Sequence, residues 1–205
     1  QPPPMARLIA ASVGQAAPLL ATDGSERFAT PSAIHKRPVS TLADPRACAV
    51  SDRGLAGDES VERHIHGPPL QAVYVYPAEH YRFWQSLARQ HGRPPLPEAG
   101  ALGENLTVEG LSESQIWIGD VLRIGSVRLR VTRPRDPCFK LNARLGLSMA
   151  GKMMVQSGYT GFYCAVVEAG ALAAGDDIAV IAGDRTLTVL DQHRLDHRSP
   201  RQLPF

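Results

Sequence analysis

The chain has 205 residues, enough for one domain with a real core and no covalent staples. Hydrophobic residues make up 43%, charged residues 20% and the net charge is +2, which excludes a disordered or fibrous chain. Arginine outnumbers lysine 19 to three, yet no basic run is clustered enough for nucleic acid, and no apolar run reaches the ~18 residues of a membrane span.

The opening "QPPPMARLIAASVG" lacks a basic region followed by an apolar core, so a signal peptide is not expected, and Met5 is a candidate natural start. Residues 6–13 read as a first strand, 14–32 as a loop, and "IHKRPV" (34–39) as a short strand. Residues 51–60 form a turn region in which Gly54 and Gly57 are free to take positive φ. "QAVYVY" (71–76) is a strand. Pro77 then opens a helix that places Tyr81, Trp84, Leu87 and Ala88 on one face and ends at Gly92.

After a proline-rich linker, 104–111 holds a short strand. Residues 118–135 read as a hairpin turning at Gly125-Ser126, with Val127, Leu129 and Val131 inward and Arg128 and Arg130 outward. Residues 138–157 read as mostly helical, 161–170 as a strand, and 174–183 as a turn and strand. The polar tail from 191 is expected to be poorly ordered. Short strands with few helices predict a mostly-β fold: a closed or nearly closed β-barrel with a few peripheral helices. Residues 1–30 are expected to lead into the barrel, 31–183 to form it, and 184–205 to be a short tail.

Several chemistries lack their signatures. There is no GxGxxG between a strand and a helix, no Walker A loop and no GxSxG. A pyridoxal phosphate enzyme is disfavoured, because Lys36 and Lys152 have no supporting motif and Lys140 lies among other cations. "HIH" (64–66) puts two histidines on one face of a strand, but no third metal ligand is evident, and a hydrogen-bonding role is favoured. Cys48, Cys138 and Cys164, with no CxxC, make neither a disulfide framework nor a zinc ribbon. They fit a reducing compartment, so a cytoplasmic location is expected.

"TRPRDPCFKLNARLG" (132–146) stands apart. Cys138 follows Pro137 at the start of a short helical pattern, with Arg133, Arg135 and Lys140 near it in the chain. A thiolate among cations is a nucleophile and a soft-metal ligand. Cys164, in "FYCAVV", reads as core. Glu104 and Asn105, in "GEN" before a strand, are candidates to line a barrel mouth.

The segments "GLAGDE", "HIHG…AVYVYPAEHYRFW", "GENLTVEGL", "IGDVLRIGSVRLRVTRPRDPCFKLNARLG" and "GFYCAVV" resemble, in order and spacing, the MOSC domain family (molybdenum cofactor sulfurase C-terminal domain). The resemblance covers about residues 31–183 and is nearest to stand-alone bacterial members like the hydroxylaminopurine resistance protein. It implies a barrel that binds the molybdenum cofactor (molybdopterin), with Cys138 as the catalytic residue and metal ligand. It implies Arg133, Arg135 and Lys140 as contacts for the pterin phosphate. Glu104, Asn105, Asn142 and His66 are further cofactor-binding candidates. The chain departs from such members at "HGPPLQ", where Leu70 and Gln71 replace a charged pair. The three-helix appendage of many stand-alone members is expected to be absent or vestigial.

The resulting expectation is a molybdenum-dependent oxidoreductase of a detoxification type, reducing N-hydroxylated bases or related N-oxygenated compounds. Its partners would be a small-molecule substrate and a separate electron-donor reductase, with neither nucleic acid nor membrane, and a homodimer is left open. The alternatives are a non-catalytic cofactor or sulfur carrier, and a Cys/His hydrolase using Cys138 with His66.

Overall fold

The order of short alternating strands closes into a ring. The computed structural model describes residues 6–19, 30–59 and 69–198. Its strands are β1 (Ala6–Val13), β2 (Ala17–Leu19), β3 (Thr30–Ser32), β4 (Arg37–Thr41), β5 (Cys48–Ser51), β6 (Gly54–Leu55), β7 (Val73–Pro77), β8 (Leu106–Glu109), β9 (Val121–Ile124), β10 (Val127–Pro134), β11 (Phe162–Glu168), β12 (Gly170–Leu172) and β13 (Asp177–Ile181). Its helices are α1 (Tyr81–Gln90), α2 (Phe139–Leu145), α3 (Ala150–Ser157) and α4 (Val189–Asp196). No helix among the described residues is long and apolar enough to cross a membrane.

Seven strands follow one another in the order β13-β9-β10-β11-β7-β8-β1, and β1 returns to β13, so the sheet is a closed barrel. Closure removes the unpaired strand edges that invite aggregation. Every neighbouring pair is antiparallel except β7 and β8. A parallel pair cannot be joined by a tight turn, and the crossover between these two strands carries α1. β1 is itself a barrel stave. It pairs with β8 along one edge, and with β13 and then β4 along the other.

β7 shows how the residues build two cores. Its pattern VYVYP is buried throughout. Val73 and Val75 join Leu8, Leu106, Leu129 and Phe162 inside the barrel. Tyr74 and Tyr76 face outward and pack with Trp84 of α1, Leu141 of α2 and Met154 of α3. α1, α2 and α3 therefore cover one outer wall, and Cys138, which precedes α2, lies on that side.

Three elements differ from the sequence reading. Residues 14–32, read as loop, contain the paired strands β2 and β3. Pro77 ends β7, opposite Val108, and does not open α1, which follows a short turn at 78–80. A proline at a strand end gives up no needed ladder donor. The polar tail contains α4. Thr188 Oγ1 accepts from the Asp191 N–H while the Asp191 carboxylate accepts from the Thr188 N–H, a reciprocal cap. That cap starts a helix whose composition alone gives little sign of one.

Candidate functional site

The burial of β10 alternates, and its pairing with β11 shifts register between Arg128 and Leu129 and again, close to the site, between Val131 and Arg133. Irregularities of this kind re-aim side chains. Beyond this one Arg133 is exposed, while Pro134 and Arg135 are both buried. Arg135 Nη1 donates to the Leu102 carbonyl, and its guanidinium lies 4.8 Å from the Tyr74 ring centroid. Burial alone would lower the pKa of this group, but Tyr74, Tyr163 and the Cys138 sulfur around it outweigh that and hold it above the usual arginine value. A desolvated cation over an aromatic ring gains about 2 kcal/mol.

Cys138 follows in extended backbone, exposed, immediately before α2. Its carbonyl accepts the Leu141 N–H at 3.0 Å. Lys140 is half-buried on α2, and Phe139, beside the thiol, is exposed. Asn142 Oδ1 accepts the Gly151 N–H at 2.8 Å, so this side chain joins α2 to the first turn of α3.

Glu104 is fully buried. Its Oε1 accepts from the Tyr81 hydroxyl, from Gly100 N–H at 2.9 Å and from Thr107 Oγ1 at 3.0 Å, and its Oε2 accepts from Leu102 N–H at 3.0 Å. Four donors on one carboxylate lock the loop that enters β8. The GEN and RDPC motifs therefore meet at one residue: the Leu102 N–H is held by Glu104, and the Leu102 carbonyl holds Arg135. Through Leu102 the two loops are tied to each other.

Asn105 extends that tie to the barrel. Its Oδ1 accepts the Tyr74 N–H at 3.0 Å, and its Nδ2 donates to the Ser12 carbonyl at 3.3 Å and to Asp58 Oδ2 at 2.9 Å. Asp58 also accepts the Gly14 N–H at 2.8 Å and pairs with Lys36 Nζ at 2.5 Å. The side chains of this ion pair are only 8% and 12% exposed. The sequence reading did not single out Lys36 and Asp58. The signal was there, in an acid following the flexible glycine of "GLAGDE" and in one of only three lysines.

Arg144, also not singled out, sits in the last turn of α2. Its Nε is buried with no hydrogen-bond partner. Burial lowers its pKa, and Glu104 and Tyr81 nearby act against that. Arg144 in turn disfavours the charged form of His35, secondary to the partial desolvation of that largely exposed ring. His66 lies outside the described residues. Elsewhere His80 Nε2 and Glu113 Oε2 are 2.7 Å apart, and Glu113 Oε1 accepts the Gly161 N–H at 2.7 Å. That pair is packed under Tyr159, whose ring stacks 3.9 Å from His80, and it reads as a structural knot.

The described residues therefore link Glu104 to Arg135 through Leu102, and Asn105 to Arg135 through Tyr74, with Cys138 within electrostatic reach of Arg135. Arg133 is exposed, Lys140 is half-buried on α2, and Asn142 is turned to α3. No group of three His, Cys, Asp or Glu side chains among the described residues could hold a metal ion by itself.

Comparison with known proteins places this arrangement. The chain is 36% identical to the uncharacterized protein YflK of Bacillus subtilis over 171 residues, covering 83% of this chain and 73% of that protein. A Gibberella moniliformis protein named "Reductase" is 36% identical over 132 residues, which are 64% of this chain but only 23% of that protein. The crystal structure of YiiM from Geobacillus stearothermophilus superposes with a TM-score of 0.70 at 27% identity, covering 93% of this chain and 83% of that one. The MOSC domain profile matches residues 62–179, which include Glu104, Asn105, Arg135 and Cys138. With the closed barrel, the GEN and RDPC loops joined at Leu102, and more than half of the sequence matched, this chain belongs to the MOSC domain family.

Proposed function

We propose that the protein binds the molybdenum cofactor through Cys138 and reduces N-hydroxylated bases or related N-oxygenated compounds, taking electrons from a separate donor. The observation that carries this reading is the exposed Cys138 thiol, set in extended backbone within electrostatic reach of the buried Arg135. The residues fit such a group. With no metal cluster of its own among the described residues, the chain offers one sulfur, which suits a metal that arrives already carrying its other ligands. The fungal relative's name supports the reductase part of the reading.

When bound, the cofactor would supply the two-electron chemistry at the N–O bond. The chain's own contribution is position and charge. The thiolate is the ligand form of cysteine, and Arg135, held over Tyr74 and by the Leu102 carbonyl, keeps a fixed positive charge beside it. Glu104 holds Leu102, and so holds Arg135 at one remove. Asn105 and the Asp58–Lys36 pair anchor that loop to β1 and β7. Preorganisation of this sort spares the site reorganisation during reaction.

Expression in a cofactor-competent host, followed by molybdenum analysis of wild type and Cys138→Ser, tests the reading. Wild type is expected to hold close to one molybdenum per chain and the variant almost none. Turnover of a hydroxylaminopurine with a flavin reductase then separates an enzyme from a cofactor or sulfur carrier. A variant with full molybdenum and full turnover sinks the proposal.

A further inference from the structure

α1, α2 and α3 pack on the β7 wall, and the outward side chains of β9 and β10 stay in solvent. On these two strands Leu122, Ile124, Val127, Leu129 and Val131 are buried, whereas Arg123, Arg128, Arg130 and Arg133 are exposed. Pairing sets Arg123 directly opposite Arg128, and like charges so placed are destabilising. Arg128 is partly relieved by the exposed Glu168 at 3.1 Å. Arg123, Arg130 and Arg133 have no hydrogen bond or ion pair among the described residues. Across the sheet Arg123 also faces Ala179, Arg130 faces Val121 and Ala165, and Arg133 faces Tyr163, so no carboxylate answers them there. The acids at the margins are Glu168, Asp136, which is 3.6 Å from His197, and Asp177, which shares a surface hollow with Arg123. From Arg128 to Arg133 the strand spans roughly 17 Å, and Cys138 follows five residues later. At that end two large apolar side chains are exposed. Phe139, 58% exposed, comes next after Cys138, and Leu70, 55% exposed, has its carbonyl bound by Thr132 Oγ1 at 2.6 Å, beside Arg133.

We infer that this face is the docking surface for a small acidic electron-carrier protein. Arg123, Arg130 and Arg133 meet its carboxylates, and Leu70 and Phe139 supply the apolar contact at the Cys138 end. This rests on the functional reading above for what is reduced at Cys138. Reducing an N-hydroxyl group to an amine consumes two electrons and two protons and releases water, and the carrier is oxidised by those same two electrons. Charge complementarity selects an acidic partner, because opposed charges steer the encounter and raise the association rate. Arginine and aromatic side chains are also what protein interfaces concentrate. A track of roughly 17 Å suits the small contacts, under about 1,200 Å², of transient redox pairs. Nucleic acid fits less well: the chain carries a net charge of only +2, and Val121, Ala165 and Ala179 interrupt the arginines.

The first test needs no loaded protein. Full-length chain from a cofactor-deficient host is titrated calorimetrically with two acidic probes, oxidised flavodoxin and an iron–sulfur ferredoxin. Binding of at least one is expected, weakening about tenfold from low to physiological ionic strength and about tenfold or more in the double variant Arg123→Glu, Arg130→Glu. A control, Arg82→Glu with Arg89→Glu, makes the same charge change at exposed positions of α1 and should bind as wild type does. No binding of either probe overturns the inference, and so does an equal loss in the two double variants, which would make net charge the cause. A single-stranded RNA that binds as tightly as the probes, and is lost in the same variant, assigns the face to nucleic acid and overturns it too. The second test uses protein from a cofactor-competent host. With the carrier as donor, Arg123→Glu, Arg130→Glu should lower kcat/KM about tenfold, the effect of reversing steering charges. With reduced methyl viologen, a small cation that needs no docking face, turnover should be unchanged. Equal losses with both donors would mark a structural effect and overturn the inference. Should the double variant fail to fold, Arg130→Gln replaces it, with the same outcomes at smaller size. Wild type without molybdenum would refute the functional reading alone, since the probe titration still judges the face.

Discussion

At the scale of the residue, the three cysteines separate by burial. Cys164 is fully buried in the barrel core, where desolvation pushes its thiol well above the ordinary value, whereas Cys138 is exposed. In native protein at pH 8, iodoacetamide is expected to label Cys138 before Cys164, as read by peptide mass spectrometry. Labelling in the reverse order would contradict the burial. Cys138→Ser should change stability by no more than about 1 kcal/mol, the usual range for mild surface changes. Cys164→Ser should cost about 1–3 kcal/mol, the penalty of a poorly satisfied buried hydroxyl. Glu104 presents the opposite case, a residue from a motif read as lining a mouth that has no exposed surface. Glu104→Gln would turn one of its two oxygens into a donor facing donors. Urea unfolding should show a loss of about 3 kcal/mol, and a loss under about 1 kcal/mol would mean the four hydrogen bonds matter little. Cys138 was legible because its cationic neighbours are adjacent in sequence. The Lys36–Asp58 pair and Arg144 were not, since their significance comes from partners on other elements.

At the scale of the element, α4 depends on its cap. The Thr188 hydroxyl is the first cause holding the Asp191 carboxyl below its ordinary pKa. A carboxyl lowered in the folded state stabilises above its unfolded pKa, and that contribution is lost as pH falls through the lowered folded value. Circular dichroism on acidification should therefore show α4 weakening below the ordinary carboxylate range, and Thr188→Ala should reduce that acid dependence, the part due to the Thr188 N–H and Arg194 remaining. The substitution itself should cost about 1 kcal/mol in the melting transition. α4 also reaches back into the protein. The buried His193 has its Nε2 2.9 Å from the Val155 carbonyl of α3, and Gly158, at φ +72°, lies so near Leu190 that a Cβ there would be 2.7 Å from its Cδ1 and would have to displace it. A Thr-x-x-Asp start was the sequence signal for this helix. The sequence reading did not use it and took the polar composition that follows as a poorly ordered tail. Strands with strict alternation, such as β10, were legible to within a residue or two. The three-residue strands β2 and β3 were not, because so short a run has no period to detect.

At the scale of the molecule, the barrel is closed unevenly. β10 and β11 pair from Arg128–Glu168 to Pro134–Phe162, whereas β1 and β13 meet only at Ala6–Ile178 and Arg7–Asp177. Amide exchange is expected to be slowest in β10 and β11 and fastest, among the barrel strands, at the β1–β13 seam, because local opening follows the number of ladder bonds that must break. Uniform protection around the ring would show that the interior packing, which includes Leu8, Ile124 and Leu129, dominates over the seam.

The sequence by itself determined the mostly-β class, the period-2 strands, the hairpin at Gly125-Ser126 and the cysteine to watch. These are local properties, written in alternation, turn residues and neighbours a few positions apart. Only the tertiary structure decided that β1 and β13 close the ring, that Leu102 joins the GEN and RDPC loops, and that Arg144 is left with an unpartnered Nε. Each of these depends on groups far apart in the chain. Their meeting is fixed by which apolar faces must be buried together, and no short window of sequence records that.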